Sequence, residues 1–187
     1  MFDAWAVVQA HRVGGDMRVL GVDPGLTRCG VAVVEGGVGQ KLSALHIGII
    51  GSSPDEELAD RLVGLERGLE ALVAEFSPDA IAIERVFSQH NVRSAMATAQ
   101  AAGIALLVAG RHQIPVSMHT PTEVKAAVTG SGRADKAQVT FMVTKVLGLT
   151  TPPKPADAAD ALAIAICDVW RGQAKRRLEA AVRAGAR

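Results

Sequence analysis

The stretch MRVLGVDPGLTRCGVAVVEGGVGQKLSALHIGII, from Met17 to Ile50, decides the fold. Met17–Asp23 is a short apolar run closed by Pro24-Gly25, which reads as a buried strand ending in a turn. CGVAVVEGG and KLSALHIGII follow, with Gly36-Gly37-Val38-Gly39 between them. Two apolar runs joined by a glycine-rich link are a hairpin signal. Three antiparallel neighbouring strands are therefore expected.

Downstream the period changes. SPDEELADRLVGLERGLEALVAEF repeats leucine at 58, 62, 65, 69 and 72, a helical spacing, with Ser53 or Asp55 available as N-cap. DAIAIERVF is a fourth strand that ends at Glu84. NVRSAMATAQAAGIALLVAGRHQ is a long Ala-rich helix and PVSMHT a fifth strand. PTEVKAAVTG suits a short helix, with Pro121 in its first turn and Gly130 at its end. ADKAQVTFMVTKVLGL is a further helix, stopped by Gly148 and Pro152-Pro153, and the last helix begins near Ala156. The order β-β-β-α-β-α-β-α-α-α predicts an α/β fold. Its mixed sheet has three antiparallel strands, then parallel ones, and helices flank it.

A chain of 187 residues, 49% of them hydrophobic, forms one domain with a substantial core. Aromatics are only 3% and Tyr is absent, so Ala, Val, Leu and Ile must fill that core. Cys29 and Cys167 give no disulfide framework, which points to a reduced, intracellular protein. A covalent link between chains through one of them stays open. No run approaches the roughly 18 apolar residues of a membrane span. The N-terminus lacks the charged and long apolar regions of a signal peptide, so a cytoplasmic location is expected.

Residues 1–16 lack clear periodicity and read as an N-terminal extension. The domain spans 17–171, and 172–187 form a basic C-terminal tail. The net charge of +1 hides an asymmetry. Residues 171–187 carry Arg171, Lys175, Arg176, Arg177, Arg183 and Arg187 against Glu179 alone, so the remainder is net negative. A basic tail on an acidic body can bind nucleic acid. A solvated chain end accounts for the same charge equally well.

The last helix opens with PADAADALAIAI, Pro155 to Ile166. Two aspartates, Asp157 and Asp160, precede a run that reads as buried, and an ionised group taken out of water must be paired, bound to metal or neutralised. Asp157 and Asp160 are three apart and share a helix face. Asp23 ends the first strand and Glu84 ends the fourth. If those strands are parallel neighbours, both acids leave the sheet at one edge, where sites gather in open α/β sheets.

Any three of the four acids converging would form an oxygen-rich cage for a hard cation such as Mg²⁺. Two ions roughly 4 Å apart could then drive phosphodiester hydrolysis. Taken singly, each acid has a structural explanation. Asp157 can cap its helix, Asp160 can face water, Asp23 can belong to the turn, and Glu84 can pair with Arg85 or Lys136. Their joint placement against apolar segments favours a site. Asp23-x-Gly25-x-Thr27 also resembles the phosphate loop of actin-like ATPases, though those proteins need a second such domain.

GVDPG, IERVF, GRADKAQV and ADAADALAIAI together resemble the RuvC family of crossover (Holliday) junction endodeoxyribonucleases, from Met17 to about Arg171. The resemblance implies an RNase H-like fold working as a homodimer, each subunit nicking one of two like-polarity strands of a four-way DNA junction. It implies catalytic, metal-binding acids at Asp23, Glu84, Asp157 and Asp160, with two Mg²⁺ ions per site and Mn²⁺ able to substitute. Some members carry His in place of the last acid. Lys125 and Lys136 match family lysines that meet DNA phosphate, and Phe87 matches an aromatic inserted against junction bases, with Arg93 beside it. RuvA and RuvB, the branch-migration proteins, are implied partners. Small residues at Ala95, Ala99, Ala102 and Gly103 offer a dimer surface or pack within one subunit. The alternatives are an RNase H-like nuclease acting on RNA or an RNA/DNA hybrid, and an actin-like ATP-binding module. His90, His112 and His119 show no zinc-site spacing and read as loop or strand-end residues.

Overall fold

The computed structural model describes residues 16–85 and 92–185. The elements follow in the expected order: β1 (Met17–Asp23), β2 (Arg28–Gly36), β3 (Ser43–Gly51), α1 (Leu58–Phe76), β4 (Ala80–Glu84), α2 (Val92–Arg111), β5 (Val116–His119), α3 (Pro121–Thr129), α4 (Lys136–Val146) and α5 (Ala156–Gly185). β3, β2 and β1 form an antiparallel meander, and β4 and β5 continue it in parallel, giving the sheet order β3-β2-β1-β4-β5. This is the mixed, helix-flanked sheet that the sequence predicts.

Alternation along the strands divides the core in two. On one face Leu20, Val22, Val31, Val33, Ile81 and Ile83 pack against the leucines of α1 and the alanines of α2. On the other, Val19, Ala32, Val34, Ala80 and Ala82 meet α3, α4 and α5. The side chains of this second face are small because α5 lies close to it. A β-carbon on Gly21 would stand 2.2 Å from the carbonyl oxygen of Ala161, and one on Gly30 would stand 2.1 Å from that of Asp157. Glycine at these two strand positions lets the helix backbone settle onto the sheet.

Ala158, Ala159 and all of Ala161–Val169 are buried, so the first half of α5 is core. The helix then continues through 172–185, with Leu178 and Val182 exposed. α3 and α4 start at capping boxes, Thr120 with Glu123 and Asp135 with Gln138. α1 does not start as predicted. Its N-cap is Glu57, with no side-chain cap. The Ser53 hydroxyl instead accepts from the Asp55 backbone N–H at 3.2 Å, inside the preceding turn. Cys29 and Cys167 are both fully buried, and no disulfide joins them. Burial pushes the Cys29 thiol up to about 12. Among the described residues no helix is long and apolar enough to cross a membrane.

Candidate metal centre

Period-two alternation decides which side chains meet at the sheet edge. On β1, Val19 and Gly21 face α5, and so does Asp23. On β4, Ala80 and Ala82 carry Glu84 to the same face. β1 and β4 are parallel, with Val22 in register with Ile83, so the next residues, Asp23 and Glu84, leave the sheet side by side. Gly30 of β2 pairs with Asp23 and leaves room for the Asp157 carbonyl, which brings the first turn of α5 over the strand ends.

Carboxylate oxygens of Asp23, Asp157 and Asp160 lie within 4.8 Å of one another. All three residues are half-buried. Glu84 is not in that close group but shares its field. Burial first, then repulsion from Glu84, Asp160 and Asp157, pushes the Asp23 carboxyl up to about 7, against the pull of Lys136. Burial and then Asp160 raise Glu84, against Lys136 and Lys125. Carboxylates held this way carry more negative charge than their surroundings neutralise.

Three cations answer part of that charge. Lys136, the first residue of α4 after its capping box, donates from Nζ to Oδ2 of Asp160 at 3.0 Å. That bond and the charge of Asp160 raise the lysine above its usual range, while burial works the other way. Lys125 of α3 is half-buried and acts on Glu84. Arg28, the first residue of β2, places Nε 2.8 Å from Oδ2 of Asp157. Asp157 therefore serves an ion pair inside the first turn of α5, beyond helix capping. The donors of the cluster are all carboxylate oxygens, the set preferred by hard divalent cations, and the uncancelled charge is what such a cation would neutralise.

The sequence reading missed Arg28. Its signal was available in the alternation that sets residues 28, 30, 32 and 34 on one face of β2. A second omission is Asp168. His119, read as a strand-end residue, does end β5 in register with Glu84, but it is buried, and its Nε2 lies 2.9 Å from Oδ1 of the buried Asp168. This pair ties β5 to α5. His112 pairs with Glu70, so neither histidine joins the carboxylates. Phe87, His90 and the side chain of Arg93 lie outside the described residues, as do residues 1–15 of the N-terminal extension. So do the side chains of most of the basic tail.

Comparison with known proteins gives a consistent picture. The family model described as crossover junction endodeoxyribonuclease RuvC matches residues 19–168. Proteins of that name from Streptomyces griseus and Streptomyces avermitilis are 63% and 62% identical to this chain. The alignments cover 90% of the chain and 82% of the S. griseus protein, and 89% of the chain and 94% of the S. avermitilis protein. The solved structure of Thermus thermophilus RuvC in complex with a Holliday junction substrate superposes with a TM-score of 0.78 at 35% identity, covering 81% of this chain and 92% of that one. The yeast mitochondrial Holliday junction resolvase Ydc2 shares the fold, with a TM-score of 0.55 at 16% identity over 84% of this chain and 81% of its own.

Proposed function

This chain belongs to the RuvC family of crossover junction endodeoxyribonucleases, and on that premise we propose that it resolves four-way DNA junctions by paired, symmetric nicks in recombination and repair. The observation that carries the reading is the convergence of Asp23, Asp157 and Asp160 within 4.8 Å, with Glu84 beside them at the sheet edge. Asp23, Glu84, Asp157 and Asp160 would hold Mg²⁺, two ions per site, with Mn²⁺ able to replace it. Such ions, when bound, lower the pKa of a water and stabilise a leaving oxygen in phosphodiester hydrolysis.

The chain's own groups do the rest. Asp23 and Glu84 supply charge only when ionised, so their raised values tie function to pH. Lys136 orients Asp160 and, on an exposed side chain, offers a positive charge to DNA phosphate. Lys125 adds a second one. Phe87 stacks on junction bases, a contact worth roughly 1–3 kcal/mol per base, and Arg93 supports it.

The working unit is a homodimer, which matches a nearly two-fold junction and sets two identical sites on two strands. α2 supports this with an exposed stripe of Met96, Ala99, Gly103, Leu106 and Leu107, while Ala102 turns inward to the core. RuvA and RuvB are its partners, and the cytoplasm its location.

The test is cleavage of a synthetic four-way junction. Symmetric, ligatable nicks are expected, and Asp23→Asn or Glu84→Gln should lower the rate by about 10³-fold, a loss of several kcal/mol of transition-state stabilisation. Junction binding should survive in both. Normal cutting by both variants would defeat the metal assignment, and preferred cutting of an RNA/DNA hybrid would move the substrate to that class.

A further inference from the structure

Arg28 starts β2 on the face that meets α5, and its Nε contacts Oδ2 of Asp157 at 2.8 Å. That carboxylate also belongs to the cluster with Asp23 and Asp160. A cation in the cluster and the guanidinium therefore draw on the same group. The Arg28 side chain is 50% exposed and that of Asp157 is 31% exposed. An ion pair so open to water is weakly held and can exchange partners.

The backbone beneath Arg28 is fixed. Ser52 donates from its backbone N–H to the Thr27 carbonyl at 3.1 Å, and its hydroxyl donates to the Leu26 carbonyl at 2.6 Å. Arg61 of α1 donates to the Ser52 hydroxyl at 2.9 Å and to the Thr27 hydroxyl at 2.8 Å. Freedom at this corner thus lies in the Arg28 side chain rather than in its loop. A guanidinium fits carboxylate and phosphate with the same planar donors, which a lysine does not. Lys136 faces Asp160, so two cations pair with the two acids near the start of α5.

We propose that Arg28 is a resident counter-ion that changes partner: it holds Asp157 while the cluster lacks a divalent cation, and passes to a DNA backbone phosphate when a cation takes the carboxylate. The inference rests on the metal-dependent nuclease reading and adds a residue and a coupling to it. Arg28 and the cation compete in the free protein. In the complex the released guanidinium gains a phosphate, so cation and DNA each favour binding of the other.

The experiment uses the full chain and Ca²⁺, a hard oxygen-seeking cation, as the probe. Calorimetry gives Ca²⁺ affinity without DNA, and a salt titration gives junction binding in Ca²⁺. For Arg28→Gln, Ca²⁺ binding should tighten about two- to fivefold, the range of an exposed ion pair. The salt slope of junction binding should become shallower by about one counterion. Arg28→Lys keeps the charge and should restore the salt slope, while its ammonium, lacking the planar donors, returns the Ca²⁺ affinity only part of the way. A residue that merely props the fold would not tighten cation binding when removed. Unchanged or weaker Ca²⁺ affinity in Arg28→Gln, or an unchanged salt slope, overturns the inference while leaving the nuclease reading intact. A wild-type chain that takes up neither cation nor junction defeats that reading, and this one with it.

Discussion

The two faces of the sheet share the same strands and differ in side-chain size. The face toward α1 and α2 is built of Leu20, Val22, Val31, Val33, Ile81 and Ile83. The face toward α5 has Val19 and Val34 near its far end, and Gly21, Gly30, Ala32, Ala80 and Ala82 elsewhere. Large side chains keep helices at a distance and fill the gap with apolar area. Small ones bring a helix backbone down to the strands. Asp23, Arg28, Glu84 and His119 all emerge on the small-residue face. What the contrast teaches is that both faces bury an apolar core, while the small-residue face also sets the distances at the site.

Three experiments bear on that contrast, in falling order of effect on cleavage. Gly30→Ala puts a methyl where the Asp157 carbonyl sits, with only 2.1 Å available. The first turn of α5 must then move, and a misplacement of about 1 Å can cost roughly 10²-fold in rate. Junction cleavage at saturating metal is the measurement, and wild-type activity in this variant would break the comparison.

The second is a pH series. With Asp23 near 7, ionisation limits the metal-loaded fraction at low cation, so cleavage should rise roughly fivefold from pH 6 to pH 7. The same shift sets a sign for stability. The folded value lies above the ordinary 3.8, so the native state keeps a proton that the unfolded chain has released. The contribution of Asp23 to metal-free stability is therefore greatest below about pH 4, falls as pH climbs to about 7, and levels off above it. Melting curves across that range should show the fall in the wild type and a flatter profile in Asp23→Asn.

The third tests the other face. Leu69 of α1 is 1% exposed in the bulky layer. Leu69→Ala should cost about 2–5 kcal/mol by chemical denaturation, yet leave cleavage by the folded fraction within about twofold. A rate loss matching that of Gly30→Ala would show that the two faces are not separable.

Much of this was legible in the sequence. The 17–50 stretch carries its meander in glycine breaks and apolar runs, the strand end at Asp23 follows from Pro24, and Glu84 closes the apolar run AIAI. What stayed hidden depends on distance between segments. Nothing local in CGVAVV says that Gly30 must be bare because a helix carbonyl from Asp157 lies over it. Arg28 looks like a strand-start arginine until α5 brings Asp157 to it. Asp168 sits in a run of buried residues and makes sense only with His119, far away in the chain. The start of α1 was misplaced for a local reason, since Ser53 had a competing bond one turn too early.

The His119–Asp168 pair and the glycine contacts act together on α5. A helix held at three heights keeps its acids on a helix turn that faces two strand ends. The gathering of like charges was completed during folding, so a cation arriving at this edge meets a preorganised cradle and incurs little entropic cost in assembling it. Binding then relaxes an electrostatic tension that the packed core has been holding in place.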